Sequence, residues 1–561
     1  MASNREIRRL FSLYAELLLL HGQDERLAAL LSAAAYRIRR IDEELVRLNK
    51  RDLVELFRPE IVSLIDELKK TGTIEALDEL IQLTPSGLFE MMRIKGLGGK
   101  KLAVLWKVGH IDTIDALLDA CKKHLITDLP GFGKKTQQNI VAAIESYRDH
   151  LDRFHYASVA DSAKGLLQSL KKIFKKNEFS LCGEVRRQTT TVAGIEIITD
   201  LPQTKLNDKS LRKNLIIQSL RKGETNGHTL DEIPVRIYHV KDQFAFALFK
   251  HTGNEAHVEN VLKKLGGKMT YRSEEEVYKK AGLPYILPEM RENVAEWKFV
   301  HKNEELVTSE DIRGVVHNHT RWSDGVDSLK DFAMACKNRN YEYVVISDHS
   351  KNAHYAGGLK EEKVLRQMKE IDDLNKKVSP FRIFKSIECD ILVSGELDYS
   401  PDLLRVFDLV IVSVHQLLKM DEERATKRLI KAIENPYTTI LGHMTGRQLL
   451  IRPGYPVNFK KVIDACAANN VIIEINANPY RLDMDWSHIP YALSKGVMIS
   501  INPDSHSIFE IDNIRWGVSA ARKGGLTRDM TWNAMPLKKI EKWLKEKARA
   551  ISAHLESSAL Q

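Results

Sequence analysis

The sequence predicts a multidomain chain: all-α through its first 150 residues, α+β in the middle, and an α/β barrel of seven strand–helix units from about residue 310 onward. Three observations carry this expectation. At 561 residues the chain is several times longer than one hydrophobic core organises. Between Arg5 and Leu80 apolar residues recur at helical spacing, as in Ile7, Leu10, Tyr14, Leu17 and Leu18, with Gly and Pro almost absent. After residue 310 a series of apolar runs each ends on a polar residue able to bind metal.

Those runs are Gly314–His317, Tyr343–His349, Phe381–Glu388, Leu409–His415, Thr438–His443, Val471–Glu474 and Met498–Asp504. Their ends lie 32, 39, 27, 28, 31 and 30 residues apart, the length of a strand plus a returning helix. In such barrels strand C-termini converge on one face, so ligand-type residues at seven strand ends are expected to meet in one pocket. Ahead of the barrel, 150–290 reads as mixed α and β, with an amphipathic helix over 160–175 and strands over Gly194–Thr199 and Pro234–Val240. Gly282-Leu-Pro-Tyr-Ile-Leu-Pro288 reads as an extended connector, because proline fixes φ. The expected regions are 1–80, 81–150, 151–240, 241–290 and 300–561.

Composition excludes several classes. Apolar residues at 43% and charged residues at 29%, without biased tracts, belong to a globular protein and not a disordered one. Five cysteines, at 121, 182, 336, 389 and 466, form no C-x-x-C pair, which argues against a thiol zinc clamp and for a reducing compartment. Leu17 to Leu20 is far too short to span a bilayer, and Met1 to Arg9 is too polar for a signal peptide, so a cytoplasmic protein without a membrane partner is expected. Net charge is +9, and the middle third carries most of it, with 25 Lys and Arg against 19 Asp and Glu over 151–300. A positive excess favours a polyanionic partner.

Two similar segments, Arg93-Ile-Lys-Gly-Leu-Gly-Gly-Lys-Lys101 and Asp128-Leu-Pro-Gly-Phe-Gly-Lys-Lys-Thr136, lie about 35 residues apart between apolar helices. They resemble helix-hairpin-helix motifs. Glycines Gly96, Gly98, Gly131 and Gly133 permit the tight turns, and the following amides, with Lys100, Lys101, Lys134 and Lys135, are expected to hold DNA phosphates without reading sequence.

In the barrel, His317 and His319 sit two apart on a strand and so face one side, where one ion takes both. Asp324, His349, Glu388, His415, His443, Asp504 and His506 complete nine candidate ligands, six imidazoles and three carboxylates. Mixed His and carboxylate donors without thiolate suit Mn²⁺, Zn²⁺ or Fe²⁺. Clustered divalent ions of this kind hydrolyse phosphate esters. Arg447 and Arg481 lie just past two strand ends and are candidates to grip a substrate phosphate.

At these residues, and at His354-Tyr-Ala-Gly-Gly-Leu359, Gly442-His-Met-Thr-Gly-Arg447, Glu474-Ile-Asn-Ala477 and Asp504-Ser-His-Ser507, the chain resembles the polymerase and histidinol phosphatase (PHP) superfamily. The likeness is to the form found at the C-terminus of bacterial and archaeal family X DNA polymerases. The resemblance implies a distorted PHP-type (βα)₇ barrel whose nine ligands hold two or three ions, with Glu388 bridging and His317, His319, Glu388, Asp504 and His506 at the chemistry. It also implies a polymerase-like palm at Gly183-Glu-Val-Arg-Arg-Gln-Thr-Thr-Thr-Val-Ala-Gly-Ile-Glu196, followed by a thumb.

That palm departs from the family pattern. Gly194 stands where the first catalytic aspartate belongs, Glu196 where the second does, and no acid occurs near Val235, the expected site of the third. Glu184 replaces a serine that would meet the triphosphate. One carboxylate cannot hold two Mg²⁺ ions against a triphosphate. Arg186, Arg187 and His251-Thr-Gly253 remain and are expected to hold DNA or a phosphate. Residues 1–49 contain no lysine, so the Schiff-base lyase found in some relatives is not expected either.

The expected function is therefore a metal-dependent 3′–5′ exonuclease or 3′-end-processing phosphoesterase. It would be a nucleoid-associated monomer acting in repair on DNA 3′ ends or gaps, with polymerase activity lost or marginal. The alternatives are a PHP-type phosphomonoesterase resembling histidinol phosphatase and a DNA-binding protein with little catalysis.

Overall fold

In a computed structural model of the chain, residues 4–38, 41, 43–94, 96–149, 152–206, 215–266, 270–299 and 305–559 are described. The chain divides into two units, Met1–Leu151 and Asp152–Gln561. In the first, the helical periodicity becomes helices Asn4–His21, Glu25–Ile38, Lys50–Leu56, Pro59–Thr71 and Glu75–Leu83, whose apolar faces bury Ile7, Phe11, Leu17, Leu31 and Ile65. Residues 81–150, expected as a separate region, share that core through Leu88, Leu102, Leu105, Leu117 and Ile144.

The second unit begins with β1 (Phe154–His155), β2 (Phe179–Leu181), β3 (Thr191–Val192), β4 (Ile195–Thr199), β5 (Ile216–Arg221), β6 (Glu224–His228) and β7 (Pro234–His239). β1 pairs with β3; the others form a sheet in the order β2-β4-β7-β6-β5, with β4 and β7 parallel. Helix Tyr156–Ile173 lays Val159, Ala163, Leu166 and Leu170 on this sheet, against Phe179, Ile195, Ile197, Val235 and Ile237. Helices Phe244–Thr252, Glu255–Leu262 and Glu274–Lys280 pack round Phe249 and Tyr278. Leu283–Leu287 is in neither helix nor strand, as its prolines favour.

The barrel follows as β8 (Gly314–Val315), β9 (Tyr343–Ile346), β10 (Arg382–Asp390), β11 (Leu409–Ser413), β12 (Thr438–Leu441), β13 (Ile472–Asn476) and β14 (Ile499–Asn502), all parallel and in sequence order. Strands buried on both faces read as unbroken apolar runs, which makes them legible in the sequence. Inside the barrel Val316, Val345, Ile411, Ile440 and Ile472 form a core, plugged from the strand N-termini by Trp532, Ile540 and Leu544. The β8/β14 seam is closed by side chain as well as backbone. Asn533 Nδ2 donates to Gly314 O (3.2 Å) and Ile501 O (2.7 Å), its Oδ1 accepts from Ile501 N (3.0 Å), and His319 N donates to Ser505 O (2.8 Å).

Two buried charge networks tie the five-stranded-sheet region, the helices that follow it and the barrel together. Glu274 accepts from Arg186 and from Arg291 Nη1 (2.5 Å). Lys523, fully buried on a barrel helix, donates to Arg187 O (3.0 Å), Glu289 O (3.1 Å) and Glu292 Oε1 (2.7 Å), and Arg187 Nε reaches the same Glu292 oxygen at 2.9 Å.

Candidate metal centre

The ligand residues leave the barrel at or just past the strand C-termini. Glu388 is the exception, two residues inside β10, and this sets it at the middle of the group. Its Oε1 lies 3.2 Å from His317 Nε2, 3.1 Å from His415 Nε2 and 3.0 Å from His443 Nε2; its Oε2 lies 2.9 Å from His349 Nδ1 and 3.6 Å from His319 Nε2. Asp504 Oδ1 stands 3.2 Å from His319 Nε2 and 3.7 Å from His317 Nε2. At the solvent edge, Asp324 approaches His506 Nε2 (3.4 Å), His349 Nε2 (3.7 Å) and His319 Nδ1 (3.9 Å). All nine candidate ligands are brought together. They fall into four groups with donor atoms within 4.8 Å of one another: His319, Asp324, His349 and His506; His317, His443 and Asp504; His317, His319 and Glu388; and His349, Glu388 and His415. His317 (φ 65°) and Asp504 (φ 51°) hold left-handed backbone conformations, a strain that collects where surrounding structure fixes a functional geometry.

The donor set fits divalent cations. His317 Nε2, both nitrogens of His319, His349 Nδ1 and Glu388 Oε2 are buried without a hydrogen-bond partner. Buried polar atoms are otherwise nearly always paired, so such a cluster is the signature of an ion site. The electrostatics agree. Burial would raise the Glu388 carboxyl, but His415, His317 and His349 hold it well below its ordinary range. Burial would lower His317, but Glu474, Glu388 and Asp504 hold it well above. Burial, with His506 and His349, presses His319 down to about 3. Anionic carboxylates thus coexist with imidazoles competing for protons, a field that a cation relieves.

A further layer orients the ligands. Glu474, which is not among the nine candidate ligands, meets them in the same pocket as an orienting partner. Its Oε2 takes His317 Nδ1 at 2.6 Å and its Oε1 accepts from His443 N at 3.0 Å. Asp390 does the same for His415 (Nδ1 to Oδ1, 2.6 Å), and Asp348 accepts from Thr320, Ser323 and Gln367. Such partners fix the tautomer and leave Nε2 to face the ions. Asp390 is absent from the residues expected at the site, although a signal for it exists: Glu388 and Asp390, two apart on a strand, share a face.

The two candidate arginines separate. Arg481 Nε lies 3.8 Å from Asp504 Oδ2, at the centre. Arg447 does not fit the phosphate-gripping role: its donors are taken by Asp485 Oδ2 (2.6 Å), Arg481 O (2.9 Å) and Leu482 O, which brace the loop carrying Arg481.

The two hairpins also differ. Gly96 (φ 88°) and Gly131 (φ 82°) make the turns. In the first, Gly99 N already donates to Glu16 Oε2 (2.5 Å), Lys100 pairs with Glu25 (2.7 Å) and Lys101 Nζ bonds Gly96 O (3.1 Å). An internal carboxylate thus stands where a phosphate was expected. In the second, Gly131, Gly133, Lys134 and Lys135 are presented at the turn, and a side chain added at either glycine would meet nothing within 4 Å.

In the five-stranded sheet, register places Glu196 opposite Arg236 and Ile195 opposite Val235. Val235 is buried in the sheet core on the face away from Glu196, and its neighbours Pro234 and Arg236, neither an acid, hold the cleft face. A β-carbon at Gly194 would sit 2.4 Å from Pro234 O, which leaves no room for an aspartate. Glu196 itself accepts from Glu184 N (3.3 Å) and Tyr238 Oη (3.0 Å), and Glu184 pairs with Arg153 (2.9 Å). Arg186 and Arg187 are engaged by Glu274 and Glu292 and do not face a phosphate.

A seven-stranded parallel barrel with this imidazole and carboxylate cluster at its strand ends defines a PHP-type domain. A family model described as a SAM-like helix-hairpin-helix tandem matches residues 88–146, both turns included. The chain is 33% identical over 508 residues to the DNA polymerase/3′-5′ exonuclease PolX of Bacillus subtilis (strain 168), covering 86% of this chain and 89% of that protein. It is 28% identical over 257 residues to a probable phosphatase of Thermoanaerobacter sp. (strain X514), covering 43% of this chain and 97% of that protein. The chain belongs to the PolX family, the family X DNA polymerases with a C-terminal PHP domain. Among the described residues, no helix is long and apolar enough to cross a membrane.

Proposed function

We propose that this protein is a metal-dependent DNA 3′–5′ exonuclease, or 3′-end-processing phosphoesterase, serving repair in the cytoplasm at the nucleoid as a monomer, with nucleotidyl transfer lost or marginal. The carrying observation is the gathering of all nine ligands in one cluster, five of the imidazoles around Glu388, in a chain that also holds a helix-hairpin-helix tandem. His317, His319, Asp324, His349, Glu388, His415, His443, Asp504 and His506 would hold two or three ions, Mn²⁺, Zn²⁺ or Fe²⁺, with Glu388 the bridge. Such ions supply Lewis acidity and neutralise charge developing on the phosphoryl oxygens. The chain's own part is to aim the ligands through Glu474 and Asp390, to bring Arg481 to the substrate phosphate, and to open the cluster to solvent at Asp324 and His506, the least buried ligands. The second hairpin, with Lys134 and Lys135, grips the strand backbone. The palm cleft, with Gly194 and Arg236 where acids would stand, supports loss of polymerisation.

A phosphomonoesterase is the second reading, favoured by the probable phosphatases that match the barrel region. Incubation with Mn²⁺ and either end-labelled DNA or a free phosphomonoester separates the two. Mononucleotide release from the 3′ end is expected, and hydrolysis of the monoester alone refutes the nuclease.

A further inference from the structure

Two tyrosines on the barrel rim have no part in the metal centre, yet both are rigidly displayed beside it. Tyr355, 68% exposed, stands on the loop after β9 with its ring 6.2 Å from that of His349 and 6.4 Å from that of His415. Its loop is pinned by Gly357 N to His354 O (3.2 Å), Gly358 N to Ala353 O (3.1 Å) and Leu359 N to His349 O (2.8 Å). Gly358 packs so closely that a β-carbon would lie 2.0 Å from Ser350 O. Tyr480, 54% exposed, stands on the loop after β13, next to Arg481. The palm holds it: the His155 ring of β1 meets the Tyr480 ring edge-on at 4.8 Å, while His155 Nε2 donates to Leu449 O (3.0 Å) and Leu449 N donates to Tyr480 O (2.8 Å).

An aromatic ring held at the mouth of a site on a pinned loop offers a flat face on which a planar group can stack. β9 and β13 are the second and sixth of seven strands, so the rings approach from different sides of the rim. A phosphodiester seated at the ions carries a nucleoside on each side, and stacking serves every base alike.

We propose that Tyr355 and Tyr480 are the stacking platforms for the bases flanking the scissile phosphate, making the centre selective for base-bearing strand ends, with the palm retained in part to hold Tyr480 in place. This rests on the nuclease reading. It also gives β1 a purpose that does not depend on polymerisation.

The test compares kcat/KM for 3′ release in Mn²⁺ on a single-stranded oligonucleotide and on the same strand with tetrahydrofuran abasic residues at its two 3′-terminal positions. Tyr355→Ala and Tyr480→Ala should each lower the value on the base-bearing strand by about 5- to 150-fold. On the abasic strand they should change it less than twofold, with metal content per chain unaltered. Tyr355→Phe and Tyr480→Phe should match the parent on both strands. Equal losses on both strands, a loss in the Phe variants, or no loss anywhere overturns the platforms. A parent protein that releases nothing from either strand overturns the nuclease reading beneath them.

Discussion

Glu474→Gln isolates the layer behind the ligands. Glu474 is fully buried, with Oε2 2.6 Å from His317 Nδ1 and Oε1 held by His443 N, Asn476 Nδ2 (3.1 Å) and, through Oε2, Asn502 Nδ2 (2.7 Å). The carboxylate holds a proton on His317 Nδ1, so that Nε2, 3.2 Å from Glu388, is the nitrogen left to give up its proton to a metal ion. Glutamine keeps the shape but presents an N–H to at least one of these partners, so the proton moves to Nε2 in part of the population. Loss of such an orienting partner weakens metal affinity by about 10- to 100-fold, or about 1.4 to 2.7 kcal/mol. Calorimetric titration of Mn²⁺ into stripped protein measures it directly, with ions per chain counted after dialysis. Affinity unchanged within twofold, in a variant that folds normally, would refute the role given to Glu474.

Other outcomes follow from the same geometry. Replacing Lys134 and Lys135 should flatten the dependence of DNA affinity on salt, by about one unit of slope for each phosphate left unneutralised, whereas Lys100 and Lys101 replacements should do little; fluorescence anisotropy across a salt series distinguishes the hairpins. Buried Glu274 and Glu292 are held below their ordinary range, burial being outweighed by Arg186 and Arg291 for the first and by Lys523 and Arg187 for the second. Folded values below the unfolded 4.5 mean that their stabilisation is present above about pH 4.5 and is lost as pH falls through the folded values. Glu292→Gln should therefore lower Tm more at pH 7 than at pH 3.5, and an equal drop at both would contradict this. Restoring acids with Gly194→Asp and Arg236→Asp should not restore primer extension in an Asp504→Asn background, because the new β-carbon meets Pro234 O at 2.4 Å; templated extension at an ordinary family X rate would be the contrary result.

The barrel is legible because its strands are doubly buried apolar runs at near-constant spacing, and because histidine and carboxylate at their ends have no packing reason to recur. What sequence could not show was pairing across long separations. Glu16 reaches the amide of Gly99 from 83 residues away and occupies it in one of two hairpins that look alike on paper. Glu474 and His415 both end apolar runs in the sequence, yet Glu474 lies inside β13 and orients His317, while His415 lies two residues past β11 and faces Glu388. Arg447 lies one turn past a ligand, as a phosphate grip would, but neighbouring carbonyls and Asp485 claim it. Val235 is one residue out of phase with the cleft, and in a strand one residue is the opposite face.

The central claim is tested most directly by digesting a 5′-labelled single strand in Mn²⁺ with the parent protein and with Asp504→Asn. A ladder shortening from the 3′ end is expected for the parent, and for the variant at least about a thousandfold slower release, alongside fewer bound ions per chain. A variant that digests at the parent rate, or a parent that leaves the strand intact under every divalent ion, would contradict it.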